Sequence, residues 1–97
     1  MSTTSSKTVR VTNSNGLHAR VAASIAALAQ EFGCRIRLVG EECEADATSI
    51  LDILTLGAPH GAPIEIRATG RDAETAVEAL GRLFEEKRQA REHVQHT

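Results

Sequence analysis

The chain has 97 residues, 13 acidic and 11 basic for a net charge of −2, and Phe32 and Phe84 are its only Phe, Tyr or Trp residues. That length holds one domain with one modest, aliphatic core. Excluded are an aromatic platform for single-stranded nucleic acid, a basic field for duplex backbone, and any apolar run near the ~20 residues of a membrane span.

Met1 to Ser6 is polar, lacks the apolar stretch of a secretory signal, and reads as a disordered lead before a domain over 7–86. Lys7 to Thr12 alternates, with Val9 and Val11 on one face, as a strand does. Asn13-Ser14-Asn15-Gly16 is a turn cluster. A helix follows, its apolar stripe expected at Val21, Ile25, Leu28 and Phe32 and its stop at Gly33. Cys34 to Val39 alternates again, Gly40-Glu41-Glu42 turns, and Cys43-Glu44-Ala45 returns as the second arm of a hairpin. Thr48 or Ser49 caps a short helix, Ile50 to Leu56, ended by Gly57. After a loop through Pro63, Ile64 to Thr69 is the fourth strand. Asp72 is the expected N-cap of a last helix with the stripe Ala73, Ala76, Val77, Leu80, Leu83 and Phe84. Residues 87–97 form a polar, helix-prone extension.

The order β-α-β-β-α-β-α in under a hundred residues gives an α+β class: a two-layer, open-faced sandwich of a four-stranded antiparallel sheet covered on one face by three helices. The other face carries Arg10, Arg35, Arg37, Glu65 and Arg67 and meets water. Cys34 and Cys43 are too few for a disulfide scaffold and read as reduced thiols. His93 and His96 lack the company of carboxylates or cysteines that a metal site needs, so neither metal nor cofactor is expected.

Chemistry concentrates in Asn15-Gly16-Leu17-His18-Ala19-Arg20, where a strand turns into a helix. His18 falls at a helix N-terminus, whose free N–H groups and positive dipole end favour an anion. Arg20 adds a forked donor for phosphate oxygens. An uncharged imidazole beside such a cradle can accept a phosphoryl group; the duller reading makes His18 a capping residue only. Ser49, before a short apolar run, is first of all an N-cap. Ile50, Ile53 and Leu54 can share one buried stripe by helical spacing.

Gly16-Leu17-His18-Ala19-Arg20 and Thr48-Ser49-Ile50-Leu51-Asp52-Ile53-Leu54-Thr55-Leu56-Gly57 resemble the active-site signature and regulatory-serine helix of the HPr family, histidine-containing phosphocarriers of the bacterial phosphoenolpyruvate-dependent phosphotransferase system. The resemblance runs from Lys7 to Glu86, and Ile64 to Phe84 look most like the nitrogen-regulatory branch. It implies a cytoplasmic, monomeric carrier and not an enzyme. His18 would take a phosphoryl group on Nδ1 from phospho-enzyme I and pass it to A-type sugar-permease domains or regulatory relatives. Arg20 would neutralise the phosphate, Ser49 would be the target of a serine kinase, and Ile50, Leu51 and Leu54 would dock partners. The family pattern exposes Leu51 and Leu54, against the buried stripe read from spacing. Three departures stand out: Val21 replaces the Pro usual after the active-site Arg, Asp52 a frequent Gly, and Thr48 a common Lys. The alternatives are an HPr-like regulatory module read by its phosphorylation state, and a small-ligand regulatory domain of similar element order that is indifferent to His18.

Overall fold

Alternation with period two places four strands and period 3.6 places three helices within residues 3–85, which the computed structural model describes. They are β1 (Thr4–Arg10), α1 (Ala19–Ala29), β2 (Arg35–Val39), β3 (Glu44–Asp46), α2 (Ile50–Leu56), β4 (Pro63–Thr69) and α3 (Ala73–Glu85). The strands form one sheet in the order β1-β4-β2-β3, each neighbouring pair antiparallel. The expected α+β open-faced sandwich is the observed fold.

Register explains the two faces. Lys7, Ile66, Leu38 and Ala45 make one cross-strand row, with Ser5, Ala68 and Ile36 in the next. This is the covered face, where Ile36, Leu38, Ile64, Ile66 and Ala68 are buried against Ile25, Ile53, Val77 and Leu80 of the helices. The opposite rows are Ser6-Arg67-Arg37-Asp46 and Thr8-Glu65-Val39-Glu44. There Arg37 stands directly opposite Arg67, an unfavourable like-charge pair. Each is drawn to a carboxylate 3.0 Å away instead, Arg37 to Glu44 and Arg67 to Glu65. Lys7 lies on the covered face because α3 carries Gly81 above it: a Cβ there would come within 3.2 Å of the lysine Cδ. The stem thus runs across the helix while Lys7 stays exposed.

The structure corrects four expectations. β1 begins at Thr4, so Thr4, Ser5 and Ser6 are not a disordered lead but pair with Thr69, Ala68 and Arg67. α1 ends at Ala29, short of Phe32 and Gly33, and tightens into Glu31 N–H···O Leu28 and Phe32 N–H···O Ala29 turns. Its buried face is Ala22, Ile25, Ala26 and Ala29, while Val21, Leu28 and Phe32 are only partly buried. The alanines let α1 approach closely, so they, and not the bulkier residues, occupy the contact. Asp72 has φ +66, not the extended backbone of an N-cap, and closes the first turn of α3 through its carbonyl, 2.9 Å from Ala76 N. Cys34 and Cys43 fall just outside β2 and β3, both as free thiols. The expected extension at 87–97, with His93 and His96, and Met1 and Ser2 lie outside the described residues.

Candidate functional site

The segment before α1 is held by its own backbone. Asn13 accepts from Gly16 N–H at 2.9 Å, and its side-chain oxygen accepts from Asn15 N–H at 3.1 Å. Gly16 has φ +72, and a Cβ there would meet the Ala58 carbonyl oxygen at 2.7 Å, so position 16 needs glycine for both conformation and space. Leu17 is buried, and its N–H donates to that same oxygen at 3.1 Å. His18 N–H then donates to Gly16 O at 2.9 Å.

These bonds deliver His18 to the N-cap of α1 with extended backbone, φ −84 and ψ 179. Its carbonyl accepts Ala22 N–H at 2.9 Å, but its side chain makes no capping hydrogen bond. The capping reading therefore holds for the backbone alone, and the half-buried imidazole is free for other work. No acidic residue stands in the first turn of α1. The N–H groups of Ala19, Arg20 and Val21 so form a positive helix end without an anionic side chain of its own turn. Arg20 lies in that turn, exposed, and makes no ion pair among the described residues. Val21 keeps a backbone N–H that proline would lack, and α1 still starts at Ala19.

α2 settles the open question of its faces. Ile53 is fully buried, whereas Ile50, Leu51 and Leu54 are 42%, 74% and 37% exposed. The buried stripe through Ile50 and Leu54 is thus not formed, and the three make an apolar patch. Ser49, not Thr48, is the N-cap, accepting Asp52 N–H at 3.2 Å. Thr48 instead donates its N–H and hydroxyl to Asp46 Oδ1 at 2.9 and 2.7 Å. Asp52 reaches back to accept Asp46 N–H at 3.1 Å. Gly57, at φ +59, closes the helix in the left-handed conformation.

α1 and α2 run antiparallel. Gln30, past the end of α1, donates to the Thr48 carbonyl before α2, and Leu17, before α1, donates to Ala58 beyond α2. His18, Arg20 and the Leu54 end of α2 therefore come together, while Ser49 sits at the far end, about 10 Å away for a seven-residue helix. What sequence reasoning missed is the second loop, 57–62. It is laced to the His18 segment by Leu17 N–H···O Ala58, Val11 N–H···O Ala62 at 3.0 Å and Gly61 N–H···O Val11 at 2.8 Å. Its glycines and proline signalled a turn, but nothing in them named the segment it would touch. Elsewhere, burial and then the nearby Asp72 carboxylate push the Cys34 thiol up, which keeps it protonated and poorly nucleophilic. No group of three or more metal-ligating side chains occurs among the described residues. No helix among them is long and apolar enough to cross a membrane.

A family model described as the PTS HPr component phosphorylation site matches residues 5–86. The phosphocarrier protein HPr of Treponema pallidum is 40% identical over 84% of this chain and 92% of its own length. The phosphocarrier protein NPr of Shewanella violacea is 39% identical over 81% of this chain and 87% of its own. The crystal structure of an HPr from Thermoanaerobacter tengcongensis superposes with a TM-score of 0.82 at 35% identity, covering 86% of this chain and 93% of that one.

Proposed function

The chain belongs to the HPr family of phosphocarrier proteins, and from that premise we propose that His18 is its phosphoryl-bearing residue. It is a carrier of the phosphotransferase system and not an enzyme: its own covalent state is what it hands on. The observation that carries the assignment is an imidazole with no capping bond at a helix end whose first turn holds no acid and one unpaired arginine.

In the tautomer with its proton on Nε2, His18 presents the Nδ1 lone pair to a phosphohistidine of enzyme I. An N–P bond forms at Nδ1 as the donor's N–P bond breaks; the donor ring, protonated on its other nitrogen, leaves as neutral imidazole while the His18 ring takes up the positive charge, so no net proton moves. The phosphoryl oxygens meet the N–H groups of the first turn of α1 and the Arg20 guanidinium. Since the chemistry is positioning and charge, two docked proteins suffice for it. Ile50, Leu51 and Leu54 supply the apolar contact, and the acceptor is a histidine of an A-type permease domain or a regulatory relative in the cytoplasm. Ser49 is the candidate for a serine kinase. A phosphate there would lie on the dipole end of α2, next to the Asp46–Asp52 pair and in the docking patch, and would weaken docking to an acidic partner.

Relatives bearing the HPr and the NPr names match equally well, which supports a second reading as a nitrogen-branch regulator. One experiment tests both. Incubated with phosphoenolpyruvate and enzyme I, the chain gains one acid-labile phosphoryl group by intact mass, and His18→Ala gains none. An unmodified wild-type chain overturns the assignment. Onward transfer to a sugar-permease A domain supports the first reading, and its absence the second.

A further inference from the structure

The corner that ends α2 also holds His18, and we propose that the Gly57–Ala58 turn is a positioning element for phosphoryl transfer. This rests on the His18 assignment and goes beyond it. Gly57 turns out of α2 at φ +59, and the Ala58 carbonyl is aimed at the His18 segment. It accepts the Leu17 N–H, one residue before His18, at 3.1 Å. Gly16 makes the approach possible, because any Cβ there would lie 2.7 Å from the Ala58 oxygen. The Gly16 carbonyl in turn accepts the His18 N–H at 2.9 Å. An unbroken chain of backbone contacts therefore runs from the helix bearing Leu51 and Leu54 to the imidazole. A partner seated on α2 has His18 presented to it by the surface it grips, with no flexible side chain between. The Ala58 carbonyl touches neither substrate nor phosphate. It acts through the backbone of residues 16–18, so its loss changes how well a docked pair reacts and leaves docking itself intact.

Gly16→Ala tests this against Gly70→Ala, at the end of β1 away from His18. Both place alanine at a positive φ, +72 and +121, but a Cβ at Gly70 meets only Cys34, in ordinary van der Waals contact at 3.4 Å, so Gly70→Ala carries the backbone strain alone. With enzyme I as catalyst and this chain as substrate, Gly16→Ala should lower kcat roughly ten- to a hundredfold at unchanged KM. Gly70→Ala should stay within about twofold of wild type. A semisynthetic chain joined at Gly33–Cys34, with the Gly16–Leu17 amide replaced by an ester, removes the Leu17 donor without any added Cβ. It serves equally if Gly16→Ala does not fold, and it should show the same fall in kcat. Wild-type kcat in the ester chain, an equal fall in Gly70→Ala, or a loss confined to KM overturns the positioning role while leaving the His18 assignment standing. Failure of the wild-type chain to take a phosphoryl group overturns that assignment, and the positioning role with it.

Discussion

Among single residues, Asp46 makes the most local electrostatic commitment. The Thr48 hydroxyl and then the Thr48 N–H, both donating to one carboxylate oxygen, hold its carboxyl below the usual carboxylate range. Partial burial opposes this, and Arg37 and Arg35 assist. The folded chain thus favours ionised Asp46 more than the unfolded chain does. Its contribution is complete above the ordinary carboxylate value of about 4 and fades as pH falls through the depressed folded value. In a series of melting curves from pH 6 downward, wild type should lose stability below about pH 4 more steeply than Asp46→Asn. Parallel curves would show that the Thr48 bonds give the ionised form no preference. The same pair of bonds explains why Ser49 caps α2 rather than Thr48: the threonine is already committed to Asp46.

At the scale of elements, α2 shows how a seven-residue helix, too short to persist alone, is fixed by its ends and one fully buried side chain. Ser49 closes the N-terminus, left-handed Gly57 the C-terminus, and Ile53 anchors the middle with no exposed surface. Two leucine-type positions two residues apart therefore have opposite meanings. Ile53→Ala should cost about 2–5 kcal/mol in a denaturant titration, because it empties a core site. Leu51→Asp should change stability by less than about 0.5 kcal/mol, since Leu51 is 74% exposed, yet raise the KM for phosphorylation by enzyme I. An unchanged KM would remove Leu51 from the docking surface. The limits of α2 were legible because Ser, an apolar run and Gly are local signals that agree. Its outward face was not, since Ile50, Ile53 and Leu54 satisfy a buried stripe equally well until α1 and β3 are placed beside it. The buried face of α1 was illegible for a related reason: its large residues draw a stripe through Val21, Leu28 and Phe32, whereas Ala22, Ile25, Ala26 and Ala29 are the residues buried. The His18 site was legible as a motif at a strand-to-helix turn. Its buttress was not, because Gly16 announces a turn without announcing that Ala58, 42 residues on, will fill the space its missing side chain leaves.

For the whole molecule, the sheet joins parts of the chain that no local pattern relates. β1 pairs along its full length with β4, Thr4 against Thr69 through Arg10 against Pro63, and α3 packs across both. Thr12, just past β1, donates its hydroxyl to the Phe84 carbonyl at 2.6 Å, tying the far end of α3 to the start of the His18 segment. The polar Thr4-Ser5-Ser6 stretch carries little strand propensity, so its place in the ladder comes from β4, which offers an unpaired edge with Arg67, Ala68 and Thr69. Thr3 extends the contact, its carbonyl accepting Gly70 N–H at 2.8 Å where the chain turns toward α3. Deleting residues 1–6 consequently strips three of the seven β1 register positions and the Gly70 bond, and leaves the end of β4 as a bare edge. The Gly70 bond and at least one two-bond pair of the ladder are lost, so at a net value of about 0.5–1.5 kcal/mol for each hydrogen bond the truncated chain should be less stable by about 1.5–4.5 kcal/mol. A domain of this size should then melt several degrees lower. A disordered lead would predict coincident melting curves for the two chains, so calorimetry of the pair decides between them. Because His18 hangs from Val11 and the 57–62 loop at the opposite end of β1, the truncated chain should still accept its phosphoryl group at the wild-type rate below its melting range.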